Sequence, residues 1–146
     1  MLRDIASRQL RGAVLLAVMM SFVQSMLGVW TEAAVVGLVA FGLYYASFAA
    51  HEAGHYVVAK FLGASPVMTI VGVESRPSSR VKVLWISVAG PVVGVAVPLV
   101  FLGVTPHWRL VGLGLTAAVL ALNHGAMLLP WFPDGRIIKQ SIREQT

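Results

Sequence analysis

Ala33–Leu62 reads AAVVGLVAFGLYYASFAAHEAGHYVVAKFL, thirty residues in which Glu52 and Lys60 are the only acidic or basic side chains apart from histidine. A bilayer needs about 20 apolar residues of helix, so this run is long enough to cross one. Its second half contains His51-Glu52-Ala53-Gly54-His55, the pattern H-E-x-x-H. On a helix, positions i and i+4 share a face, so His51 and His55 can hold one metal ion together. Glu52 follows the first ligand and is placed to take a proton from a water at that metal.

The composition agrees with a membrane setting. The chain has 146 residues, of which 58% are hydrophobic and 12% charged, and its mean hydropathy is +0.81. Soluble domains are about one quarter charged. The length suits about four spans of roughly 20 residues in one membrane domain covering 1–146, with no room expected for a separate soluble domain. Cysteine is absent, which excludes disulfides and thiolate ligands. A metal must use His, Asp or Glu. The net charge is +5, yet the basic residues follow membrane topology rather than forming a nucleic-acid patch.

Four apolar segments are legible, at about Gly12–Trp30, Ala33–Leu62, Val83–Val104 and Leu110–Leu129. The first follows Arg3, Arg8 and Arg11, as a signal peptide would. Its apolar run exceeds an h-region of roughly 7–15 residues, and no convincing small-x-small cleavage site follows, so a retained span is expected. Lys60, Arg76, Arg80 and Lys82 lie between spans two and three, and Arg136, Lys139 and Arg143 follow span four. Ten of the eleven basic residues thus fall on one side, leaving Arg109 on the other. The positive-inside rule makes the richer side cytoplasmic, with both termini there. His51 is then about 27 Å along its helix from Ala33, at 1.5 Å per residue, in the cytoplasmic half of the bilayer. The expected class is an all-α polytopic membrane protein, located in the cell membrane, with a small β-hairpin between helices two and three. Val67–Val73 and Arg80–Leu84 read as its strands around a turn at Pro77–Ser79. A plain connector is the alternative. As a hairpin, its free edge is suited to pairing with an extended substrate segment.

Catalytic zinc usually takes three protein ligands, so a third is needed. Asp4 and Glu144 are in the tails, Glu32 is on the far side, and Glu74 is in the hairpin region. Asp134 follows span four in Pro130-Trp131-Phe132-Pro133-Asp134-Gly135, where prolines and glycine are expected to end the helix in a rigid extended turn. Leu110 to Pro130 covers roughly 30 Å, which brings Asp134 to about the depth of His55. Ionisable residues inside a membrane are costly and usually functional. The competing reading of His51, Glu52 and His55 is a polar cluster that stabilises a helix bundle, and that of Asp134 is an interfacial turn residue.

In motifs and order, the chain resembles the site-2 protease family of intramembrane zinc metalloproteases. The resemblance is carried by His51-Glu52-Ala53-Gly54-His55 in a span, Ala89-Gly90-Pro91 opening the next, and Leu128-Leu129-Pro130-Trp131-Phe132-Pro133-Asp134-Gly135 ending the following one. It covers about Ala33 to Ile138. It implies that His51, His55 and Asp134 hold Zn2+ and that Glu52 is the general base. It also implies hydrolysis of peptide bonds within or next to transmembrane segments of membrane-anchored proteins. No PDZ-like or nucleotide-binding regulatory domain is expected, which makes this a compact member.

The chain departs from the family at two asparagine positions associated with holding substrate or the oxyanion. Met127 stands where Asn-Leu-Leu-Pro often begins, and Gly94 stands three positions after Ala-Gly-Pro. The turn before Asp134 is also one residue shorter. Asn123, one helical turn before Met127, is a candidate for the asparagine's task, and His124 is a second. Each can equally make an interhelical hydrogen bond. The departures motivate an alternative: a catalytically inactive relative that binds membrane partners without cleavage. A metal transporter would need a continuous polar path, and four histidines are too few for a membrane di-iron oxygenase.

Overall fold

The computed structural model describes residues 2–28, 30–69, 72–75, 77–104 and 111–143. Five helices and one hairpin follow in the order α1 (Leu2–Met26), α2 (Trp30–Phe61), β1 (Val67–Thr69), β2 (Gly72–Glu74), α3 (Arg80–Val104), α4 (Val111–Ala126) and α5 (Pro133–Arg143). Helix α2 packs between α1 and α3, α4 lies against α3 with lesser contacts to α1 and α2, and α5 folds back onto α3. Arg76, His107, Arg109 and Glu144 lie outside the described residues, as do Ile70, Val71 and the side chains of Arg3, Asp4 and Arg8.

Two helical stretches, Glu32–Phe61 and Arg80–Val104, are long and apolar enough to cross a membrane, and Leu10–Met26 and Val111–Ala126 are shorter apolar helices. Large apolar side chains point outward: Leu15, Phe22, Leu38, Val100 and Leu122 are all more than half exposed. The interior holds two apolar clusters, Met20, Val36, Ala40 and Leu113, and Leu43, Ala117 and Leu120. Beside them it buries Gln24, Ser47, His51, Thr116 and His124. Apolar surface outside and polar groups inside is the reverse of a soluble bundle.

These buried polar groups have definite tasks. Pro98 has no N–H for the Gly94 carbonyl four residues earlier. Ser47 Oγ supplies that missing donor at 3.0 Å and joins α2 to α3. Gln24 Oε1 accepts from the Gly112 amide at 3.2 Å, one of the first-turn donors of α4 that has no intrahelical partner. Gln24 Nε2 donates to Glu32 at 3.5 Å. Replacing Gln24 with Leu is therefore expected to destabilise the bundle by about 1–3 kcal/mol, the cost of an orphaned buried donor. Thermal unfolding in detergent reads this, and an unchanged midpoint would remove Gln24 from the fold's support.

Helix α2 stops at a Schellman motif. Gly63 adopts φ of 69°, Ala64 N–H bonds to Ala59 at 2.9 Å and Gly63 N–H to Lys60 at 3.1 Å. The buried pair Ala59 and Ala64 packs with Ile86, completing the apolar contact usual for this stop.

Four sequence expectations are corrected. Arg80–Leu84 is the first turn of α3, not a strand. Ser79 is its N-cap, with its Oγ accepting from Lys82 N–H at 3.4 Å and its carbonyl from Val83 N–H at 3.1 Å. The alternation of Val81 and Val83 with basic residues imitated a strand, but the serine cap won. The hairpin instead forms within the run read as one strand, pairing Val67 with Glu74, Met68 with Val73 and Thr69 with Gly72. Finally, Asp134 is not in an extended turn. Helix α4 ends at Ala126, a compact turn follows, and Pro133 opens α5. Proline suits a first helical position because its missing N–H is not needed there. Trp30 belongs to α2 rather than to the first apolar helix.

Candidate metal centre

His51, Glu52 and His55 lie on α2, and Asp134 is in the first turn of α5. The turn between α4 and α5 fixes the aspartate. Gly135 N–H bonds to the Met127 carbonyl at 3.0 Å, and Phe132 N–H to Leu129 at 3.0 Å. A Cβ at Gly135 would run into the Leu129 carbonyl, so Asp134-Gly135 can sit this tightly only with glycine second. The acidic side chain also suits the positive end of the α5 dipole.

The three candidate ligands converge. His51 Nε2 is 3.1 Å from His55 Nε2 and 3.4 Å from Asp134 Oδ2, while His55 Nε2 is 3.6 Å from Asp134 Oδ1. One ligand atom from each residue lies within 4.8 Å of the others. Ligands about 2.0–2.1 Å from a tetrahedral zinc are separated by about 3.4 Å. The group thus has the spacing of three corners of such a site. Two imidazoles and one carboxylate, with no cysteine in the chain, are a donor set that a divalent transition metal accepts, zinc and iron among them. The fourth corner is free of a protein ligand among the described residues, as a catalytic site requires.

Helix α3 orients the second histidine. Its ladder is interrupted at Pro91, and the nearby Ile86 carbonyl accepts from His55 Nδ1–H at 2.6 Å. That bond sets the tautomer and turns the Nε2 lone pair toward His51 and Asp134. Gly90 permits the approach, because a Cβ there would collide with His55 Nε2. This gives Ala89-Gly90-Pro91 a physical role: it lets α3 back the candidate ligand His55 closely.

The hairpin reaches the remaining residue of the motif. Val73 N–H donates to Glu52 Oε2 at 3.1 Å, and Gly72, with φ of 143°, passes so near that a Cβ would lie 2.9 Å from the same oxygen. A cavity of about 940 Å³ opens below the hairpin, lined by His55, Val67, Val73, Ser87, Asp134 and Ile137 among others. It brings space for a polypeptide segment to two of the three candidate ligands.

Of the two candidates on α4, His124 packs against His51 at the site, whereas the bond seen at Asn123 is that of its carbonyl with Met127 N–H. The His124 ring is fully buried, with its centroid 5.2 Å from that of His51. No hydrogen bond links Asn123 to the site among the described residues. Sequence reading missed the Ile86 carbonyl and the Val73 amide altogether. Backbone groups leave no trace in residue types, although Gly90 and Gly72 marked where the backbone comes close. No family model, curated protein or solved structure matches the chain.

Proposed function

We propose that the chain is an intramembrane zinc metalloprotease of the site-2 protease type, which hydrolyses peptide bonds within or beside the transmembrane segments of membrane-anchored proteins. The observation that carries this reading is the convergence of His51 Nε2, His55 Nε2 and an Asp134 carboxylate oxygen within 4.8 Å, with Glu52 next to the first of them. Helices α1 to α4 form four spans in the cell membrane, and both termini face the cytoplasm. The outward apolar faces and the distribution of basic residues support this topology.

His51, His55 and Asp134 hold the metal, and the bond from His55 to Ile86 keeps one ligand aimed. Zinc, when bound, supplies Lewis acidity at the scissile carbonyl and makes water nucleophilic near neutral pH. Glu52 takes the proton from the attacking water and delivers it to the leaving nitrogen. A substrate helix hides its peptide bonds in its own hydrogen bonds, so it must unwind locally to present one. The cavity beneath the hairpin takes the unwound segment, and Val67 and Val73 line it on the hairpin side.

Elemental analysis of the full chain purified in detergent tests the metal centre. About one zinc per chain is expected in wild type, with clear depletion in Asp134→Ala. Wild type that takes up no zinc when it is supplied would sink the reading. Wild type that holds zinc yet cuts no transmembrane peptide with helix-breaking residues would favour partner binding without cleavage.

A further inference from the structure

Three buried side-chain nitrogens have no hydrogen-bond partner among the described residues: His51 Nδ1 and both nitrogens of His124. An unmatched buried polar atom is destabilising, so three of them on two neighbouring rings call for a physical account. The two rings are 5.2 Å apart between centroids and inclined by 31°. Phe48 walls the pair, 4.7 Å from His124 and 6.4 Å from His51. On α3, Gly94 leaves the space that His124 needs, since a Cβ there would fall 2.7 Å from His124 Nδ1.

The unmatched atoms are chemically complementary. His51 Nε2 faces His55 and Asp134, so its lone pair is directed at the metal position. A neutral imidazole that gives one nitrogen to a metal carries its proton on the other, which makes His51 Nδ1 a donor in need of an acceptor. His55 already has this arrangement through Ile86. Among the described residues His51 has no carbonyl or carboxylate in that role, and a neighbour with acceptor capacity to spare is His124. Neither His51 nor His124 lines the cavity that reaches His55 and Asp134. His124 therefore sits behind the ligand rather than against a substrate.

We propose that His124 is the positioning residue for His51: its ring accepts, through one buried water, the hydrogen bond from His51 Nδ1–H, and so aims the His51 Nε2 lone pair at the metal. The metal part of this inference rests on the zinc reading above, while the hydrogen bond itself does not. Gly94 and His124 act as a unit, the glycine on α3 making the space that the imidazole on α4 fills.

Zinc titration against a competing chelator tests the proposal on the full chain in detergent, with wild type, His124→Phe and His124→Gln. Phenylalanine keeps an aromatic ring beside Phe48 but has no acceptor. Glutamine restores an acceptor oxygen. His124→Phe is expected to bind zinc about 10–100-fold more weakly, the usual effect of losing an outer partner of a ligand, and His124→Gln to recover most of the loss. Zinc binding by His124→Phe equal to wild type overturns the proposal. Nitrogen NMR on histidine-labelled wild type gives a decision that needs no variant. A protonated, slowly exchanging, hydrogen-bonded His51 Nδ1 supports the proposal, and a His51 protonated at Nε2 or with a freely exchanging Nδ1 proton overturns it. Wild type that holds no zinc would sink the metalloprotease reading, and the nitrogen signals of the metal-free protein would then decide the hydrogen bond on their own.

Discussion

Glu52→Gln is expected to lower peptide hydrolysis by about 10²–10⁴-fold, the loss associated with removing a positioned general base, while zinc content stays at the wild-type level. The substitution is well matched to the site. Its amide oxygen can still accept from Val73 N–H, which bonds Glu52 Oε2 at 3.1 Å, so the hairpin keeps its attachment. The proton acceptor alone is lost. Mass spectrometry of a transmembrane peptide incubated with each protein gives the rates, and elemental analysis gives the metal. A zinc-loaded variant that cuts as fast as wild type would remove Glu52 from the mechanism.

Gly90→Ala is expected to strip the centre of metal. The new methyl group would occupy the position of His55 Nε2. Helix α3 already packs closely on α2 at Gly54, where a Cβ would lie 2.7 Å from the Ala89 carbonyl, and α4 and α5 pack against α3 as well, so moving it away from His55 disturbs three helix contacts. His55 must therefore turn away and give up its bond to Ile86. Overpacking of this kind costs about 1–3 kcal/mol, and the displaced ring no longer completes the triad. Gly103→Ala is the control, since nothing lies within 4 Å of a Cβ there. Zinc per chain and the unfolding midpoint should both fall in the first variant and hold in the second. Wild-type zinc retention by Gly90→Ala would show that α3 does not hold His55 in place.

The candidate ligands were legible because their chemistry is local. His51 and His55 share a face by helical period alone, and Asp134 stood out as the acidic residue at matching depth after a helix-ending run. The long apolar helices α2 and α3 were equally plain, since each is a sustained apolar run. What stayed hidden depends on competition or on distance. Ser79 decides that Arg80–Leu84 begins a helix, yet Pro77-Ser78-Ser79 reads as a turn just as well. Helix α5 is hard to see in the sequence, because Arg136, Lys139 and Arg143 dominate so short a segment. Its amphipathic character depends on Ile137, Ile138 and Ile142 sharing it with those charges. The pairing of Gly94 with His124 joins two helices and is invisible to any pattern confined to one.

The division of the triad between α2 and α5 has a consequence for how the protein comes into being. His51 and His55 are made early, and Asp134 arrives three helices later, on α5. During synthesis at about 5–20 residues per second, the two histidines exist for seconds beside a membrane with no carboxylate to join them. No three-ligand centre exists until α5 has been made and docked on α3. The nascent chain therefore carries an incomplete set of candidate ligands, and α5 is the helix that completes it.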